Sequence, residues 1–87
     1  MRIGFFGSGA FGLPTLEAIL SEHELAFVVS QPDRPAGRRR QLRATPVSEL
    51  AMEHGVQLLR PDRLGSDEIE SIRSFDVDAW VVIAYGL

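Results

Sequence analysis

Eighty-seven residues at 45% hydrophobic and 24% charged describe one small globular domain, which can bury roughly two thirds of its unfolded surface. No apolar run approaches the roughly 20 residues of a membrane span, and the N-terminus lacks the basic region and cleavage site of a signal peptide. With no cysteine there is no disulfide-linked partner and no thiolate metal site, which fits a cytoplasmic protein.

In chain order, Arg2 to Phe6 is a short apolar, β-prone run closed by Gly7, and reads as strand one. Leu13, Leu16, Ile19 and Leu20 recur at helical spacing and predict an amphipathic helix from about Leu13 to Ser21. Leu25 to Val29 is a second continuous apolar strand. A long connection, residues 31–45, follows. Thr45-Pro46 then reads as an N-cap and a proline at the first helical position, with Val47, Leu50, Ala51 and His54 on one face and Gly55 at a left-handed end. Val56 to Leu59 is strand three. Ser66-Asp67-Glu68 supplies a cap and two acids to a third helix with a buried face of Ile69, Ile72 and Phe75. Asp76 and Asp78 mark a turn, and Ala79 to Ala84 is strand four, apolar on both faces.

Strands alternating with helices, and lacking a polar face, predict a parallel sheet covered on both sides. With right-handed crossovers this is the N-terminal half of a doubly wound, Rossmann-like α/β domain of strand order 3-2-1-4. In such sheets ligands bind beyond the carboxyl ends of the strands, where the strand order reverses. The chain ends at Leu87, just after strand four. Residues 1–87 are therefore expected to be an incomplete domain, the front piece of a longer protein. The two histidines, His23 and His54, have no partner at ligand spacing and read as helix-end or surface residues, so no metal is expected.

The net charge of −3 conceals a separation. Residues 31–45 hold five of the nine basic residues (Arg34, Arg38, Arg39, Arg40, Arg43) and one acid, Asp33, for a local charge of +4. The remaining four arginines face eleven acids, a balance of −7. Charge gathered in this way faces a polyanion, although a solvated mobile linker would have the same composition. Pro32, Pro35 and Gly37 are expected to keep the segment out of regular helix or strand, as a loop.

Gly7-Ser8-Gly9-Ala10-Phe11-Gly12 satisfies the G-x-G-x-x-G pattern between a strand and a helix, with Asp33 lying 21 residues beyond Gly12 and Arg34 beside it. Read literally, this is a dinucleotide-binding turn with an acid for a ribose or an arginine for a 2′-phosphate. Pro14 argues against it, because a helix begun at Ala10 would lose a main-chain hydrogen bond in its second turn. Asp33 also falls after Ser30-Gln31-Pro32, not at the tip of strand two. The alternative is a turn that needs glycine for packing alone.

Ile3-Gly4-Phe5-Phe6-Gly7-Ser8 with Phe11, Pro14-Thr15-Leu16-Glu17-Ala18, Gln31-Pro32-Asp33-Arg34-Pro35-Ala36-Gly37-Arg38, Pro46-Val47 with Leu50-Ala51, and Val81-Val82-Ile83-Ala84-Tyr85-Gly86 closely resemble the N-terminus of the methionyl-tRNA formyltransferase family. The resemblance covers essentially the whole chain in order. The arginine-bearing block distinguishes that family from other folate-dependent formyltransferases of the same fold. One departure stands out: the family usually has Gly-Thr-Pro and an acid where this chain has Gly7-Ser8-Gly9-Ala10. Gly9 therefore completes the glycine pattern by substitution.

The resemblance implies transfer of a formyl group from 10-formyltetrahydrofolate to the amino group of initiator methionyl-tRNA. The attacking amine must lose a proton and the tetrahedral oxyanion must be stabilised. In the family this work falls to an Asn, a His and an Asp positioned beyond Leu87, so no residue here is expected to be catalytic. What carries over is recognition. The segment Asp33 to Arg43 resembles the inserted loop that selects the initiator tRNA, with Arg34, Arg38, Arg39, Arg40 and Arg43 as binding residues and Asp33, Pro35 and Gly37 shaping the loop. Arginine suits that task through bidentate phosphate contacts and stacking. Tyr85, Gly86 and Leu87 fall where the family's folate pocket begins, or simply end a buried strand. The alternative readings are the NADP-binding half of an oxidoreductase and a free-standing RNA-binding module.

Overall fold

The computed structural model describes residues 1–36, 41–83 and 85. Four parallel strands form one sheet: β1 (Arg2–Gly7), β2 (Glu24–Val29), β5 (Leu58–Leu59) and β6 (Ala79–Ile83), hydrogen-bonded in the order β5-β2-β1-β6. Between β2 and β5 lies a separate antiparallel pair, β3 (Arg34–Ala36) and β4 (Gln41–Arg43). The helices are α1 (Leu13–Glu22), preceded by a 3-10 turn at Ala10–Gly12, then α2 (Pro46–Glu53) and α3 (Ser66–Arg73). None is long and apolar enough to cross a membrane.

Each helix starts where local chemistry allows. Pro14 lies in the first turn of α1, where its missing N–H is not needed, and the α-helix begins at Leu13 rather than at Ala10. The Thr45 side chain caps α2 by accepting the Ser48 N–H at 3.0 Å, with Pro46 as the next residue. Gly55, at φ 65°, ends that helix in the left-handed region. At α3 the expected cap is displaced by one residue. Gly65 is the N-cap, Ser66 is already helical, and the Glu68 carboxylate accepts the Gly65 N–H at 2.8 Å. The longer Glu68 reaches back to a donor that the Ser66 hydroxyl, now inside the helix, cannot serve. Phe75 lies beyond the end of α3, and its ring packs 4.8 Å from that of Phe27. His23 and His54 are the C-caps of α1 and α2.

The pleat of β1 divides the core. Ile3 and Phe5 point to the face covered by α1 and α2, where they meet Leu16, Ile19, Val28, Val47 and Ala51. Phe6 points the other way and joins Phe27, Val29, Ile72 and Tyr85 under α3. Both faces of the sheet carry helix, as the absence of a polar strand face demanded, except along β6, whose face shared with Phe6 is left partly open. The β1–β2 register slips between Ile3 and Gly4, leaving Ala26 without an opposite residue. Beside that irregularity the Phe27 ring occupies the space a side chain at position 4 would need. On β6, Ala79, Val81 and Ile83 are half-buried, whereas Trp80 and Val82 are 41% and 62% exposed. Strand three is shorter than expected: Val56 donates its N–H to Ala51 O at 3.0 Å, a helix-end contact, and pairing begins only at Leu58.

Gly4→Ala is expected to destabilise the fold by about 2 kcal/mol or more, because the new methyl must displace a fully buried aromatic ring. Gly9→Ala, where an added Cβ meets nothing within 4 Å, is expected to change stability by less than about 0.5 kcal/mol. Chemical denaturation of the two variants beside the parent measures the contrast.

Candidate nucleic-acid interface at the carboxyl edge

Parallel pairing delivers the carboxyl ends of all four strands to one edge. Ser8 follows β1, Ser30 follows β2, Arg60 follows β5, and Tyr85 lies two residues past β6. Segment 31–45 leaves and rejoins the body at this same edge, between Ser30 and α2.

The described part of that segment is not the irregular loop expected. Arg34, Pro35 and Ala36 pair antiparallel with Arg43, Leu42 and Gln41 to form a two-stranded ribbon. Proline excludes a central strand because it cannot donate to the ladder, but a free ribbon has non-hydrogen-bonded pairs at which no donor is required. Pro35, opposite Leu42 in the middle of three pairs, fits such a position. Gly37, Arg38, Arg39 and Arg40, also assigned to this segment from the sequence, lie outside the described residues.

The ribbon places Arg34 directly across from Arg43. Like charges at opposed ribbon positions repel. Both residues are exposed, and neither forms an ion pair among the described residues. The Arg34 Nη2 donates instead to the neutral Gln31 Oε1 at 2.9 Å. Each guanidinium carries five donors in a planar fork, a geometry suited to anionic oxygens. Asp33 is otherwise engaged: its Oδ1 accepts from Arg60 Nη1 at 3.0 Å, across the carboxyl ends of β2 and β5. That pair is too exposed to add much stability. Its effect is to neutralise the one acid at the root of the ribbon.

Beneath the ribbon lies a buried hydroxyl network. Ser8 Oγ donates to Tyr85 O at 2.8 Å and accepts the Gln31 N–H at 3.0 Å. Ser30 Oγ and Thr45 Oγ1 are 2.6 Å apart, and Thr45 Oγ1 donates to Ser48 Oγ at 3.0 Å. Ser8, Ser30 and Ser48 are all buried. Sequence reasoning passed over these serines, although a hydroxyl residue directly after each of two neighbouring parallel strands was a visible signal. Arg60, directly after the third parallel strand, was missed for the same reason.

Of the three residues assigned to the edge of a folate pocket, Gly86 and Leu87 lie outside the described residues. Tyr85 is turned inward, with its ring edge-on to Phe6 at 6.2 Å and its carbonyl taken by Ser8 and by Gln31 Nε2. A groove of about 430 Å³ between the end of β5 and α3 is lined by Arg60, Asp67 and Glu68, and so carries a net negative charge. The described residues do not bring together three groups able to hold a metal ion.

The glycine pattern has packing reasons at two of its three positions. An added Cβ at Gly7 would lie 2.8 Å from Ile83 O, and one at Gly12 would lie 3.2 Å from Phe5 Cζ. The acid that a dinucleotide ribose would need is paired with Arg60, and Ser8 O in the turn accepts the Val47 N–H from the start of α2. Calorimetric titration with NADP is therefore expected to show no saturable binding, and heat of binding abolished by Gly9→Val would restore the dinucleotide reading. A second expectation concerns Tyr85. Burial pushes its phenol pKa up, so above about pH 10 the folded state holds a proton that the unfolded state has lost. Stability should fall as pH rises through that range, and Tyr85→Phe should lack this step in thermal melts.

No family model matches the chain. Individual relatives do. The methionyl-tRNA formyltransferase of Methylobacillus flagellatus is 45% identical over the full chain, and that of Methylococcus capsulatus is 46% identical, again over the full chain. The corresponding protein of Agathobacter rectalis is 42% identical over 99% of the chain. The chain spans 28–29% of the length of these relatives. The resemblance carried by the arginine-bearing block and the strand motifs holds over the whole length: the chain is similar throughout to the N-terminal portion of methionyl-tRNA formyltransferases.

Proposed function

We propose that residues 1–87 supply the tRNA-recognition edge of a formyltransferase that acts on initiator methionyl-tRNA. The observation that carries this reading is the Arg34–Arg43 pair, two exposed guanidinium groups opposed on a ribbon at the carboxyl edge of a parallel sheet. Its support is threefold. The ribbon concentrates positive charge on an otherwise acidic chain, the only acid at its root is neutralised by Arg60, and the relatives are named for an enzyme acting on methionyl-tRNA. Arg38, Arg39 and Arg40 extend the same basic segment, with Asp33, Pro35 and Gly37 shaping it.

The formyl donor in this reading is 10-formyltetrahydrofolate, taken up next to the strand β6 end at Tyr85, Gly86 and Leu87. The reaction is nucleophilic attack by the methionyl amine on the formyl carbon. The groups that accept the amine proton and stabilise the oxyanion are assigned to an Asn, a His and an Asp outside residues 1–87. The place of action is the cytoplasm, where initiator tRNA is charged.

Binding of initiator tRNA to the complete polypeptide should weaken with salt, the five arginines of residues 31–45 contributing up to about four to the slope of log K against log salt. Replacing Arg34 and Arg43 together with alanine should flatten that slope by up to about two. Formyl transfer from the folate donor to charged initiator tRNA is the activity to assay. An unchanged slope in the double variant would falsify the assignment of tRNA to the ribbon. Absence of formyl transfer by the complete polypeptide would overturn the reaction itself.

A further inference from the structure

We infer that Ser8 and Ser30 are positioning residues for the basic ribbon: their buried hydroxyls set its pose over the carboxyl edge, and so tune affinity for tRNA without touching it. The inference rests on the reading that the ribbon binds tRNA. Among the described residues, strands β3 and β4 pack on each other and make no extensive contact with another element. Leu42, at the ribbon's middle pair, is 69% exposed, so its side chain does not hold the ribbon down. The ribbon's direction is therefore decided where it joins the body.

Both roots reach the same network. On the outgoing side, the Gln31 N–H donates to Ser8 Oγ at 3.0 Å. On the returning side, Thr45 Oγ1 meets Ser30 Oγ at 2.6 Å, and one residue past Pro46 the Val47 N–H donates to Ser8 O at 3.2 Å. Ser8 Oγ, in turn, is tied to the end of β6 through Tyr85 O.

Each hydroxyl of the network has one proton to place. The Ser8 proton goes to Tyr85 O and the Thr45 proton to Ser48 Oγ. With those two protons placed, the Ser30 proton is left to serve the 2.6 Å contact with Thr45. That leaves the 3.4 Å approach of Ser30 Oγ to Ser8 Oγ as a secondary contact. Ser30 is 0% exposed and Ser8 8%, so water does not readily replace a deleted partner. Removing the Ser8 hydroxyl leaves the Gln31 N–H without its acceptor at the very residue where the ribbon departs. Losing that bond loosens the tie between the outgoing root and the ends of β1 and β6.

The test uses the complete polypeptide and initiator tRNA as the ligand. Ser8→Ala is expected to weaken tRNA binding by about tenfold and to raise KM for tRNA while leaving kcat unchanged. Ser8→Thr, which keeps the hydroxyl, should bind like the parent. The decisive measurement is a cycle with the arginines. If Ser8 acts through the ribbon, Ser8→Ala should cost clearly less in an Arg34→Ala/Arg43→Ala background than in the parent. A purely structural role would give additive losses, and additive losses overturn the inference. So would parental tRNA affinity in Ser8→Ala when the double arginine variant binds poorly. Parental affinity in the double arginine variant instead removes the tRNA reading on which the inference stands. Ser30→Ala provides an independent arm through the returning root, expected to raise KM for tRNA by a similar factor, and an unchanged KM in a folded Ser30→Ala protein also counts against it.

Discussion

Strand β1 is bonded on both sides by parallel neighbours, β2 and β6, and the rest of the molecule follows from that constraint. Parallel strands cannot be joined by tight turns, so each must be followed by a crossover that packs on a face of the sheet. Helices α1 and α2 cover one face and α3 the other, and β1 must be apolar on both sides to match. Ile3, Phe5 and Phe6 meet that demand, and Gly4 yields its place to the Phe27 ring. The same parallel sense sends the carboxyl ends of β1, β2, β5 and β6 to a single edge. Residues distant in sequence thereby become neighbours: Ser8 and Tyr85 are separated by 77 positions and share a hydrogen bond. The opposite edge is held by Arg2, whose side chain donates to Glu24 and to the Asp76 carbonyl while its N–H donates to Asp78.

At the carboxyl edge the molecule separates two kinds of polar group by depth. Hydroxyls lie below, where burial makes every unpaired donor costly and where short neutral side chains can be satisfied in a fixed pattern. Guanidinium groups lie above, exposed, where their charge is solvated in the free protein and available to an anion. Reversing that order would bury charge without a partner, at a cost of several kcal/mol per group. The Arg60–Asp33 contact offsets the one acid of residues 31–45. The ribbon is thus a cationic extension standing on a neutral, fully hydrogen-bonded base.

The glycine pattern after β1 shows how a motif can arise from packing. Gly7 and Gly12 are confined by Ile83 O and by the Phe5 ring. Gly9 has open space around it, and its identity is what turns an ordinary tight turn into the G-x-G-x-x-G spacing. Pro14 delays the α-helix to Leu13, so the residues just after β1 form a 3-10 turn. The spacing is present without the helix start that gives it meaning in dinucleotide-binding proteins.

Much of this was legible in the chain itself. Continuous apolar strands separated by capped helices dictated a parallel α/β sheet, because hydrophobic periodicity and caps such as Thr45-Pro46 are local signals that tertiary contacts here only reinforce. The clustering of five arginines in residues 31–45 was equally plain, and so was the resemblance carried by that block. Tertiary structure decided what pairs with what. Whether Pro35 breaks a strand depends on whether the strand is central or free on both sides, which no local pattern records. That Arg34 faces Arg43, that Asp33 turns to Arg60, and that Ser8 meets both Ser30 and Gln31 are consequences of register and crossover geometry. Sequence determined which groups exist and which segments are regular, because those depend on neighbours along the chain. Only the folded sheet decided which of them meet, because contacts across 15 to 77 residues are set by strand order and direction.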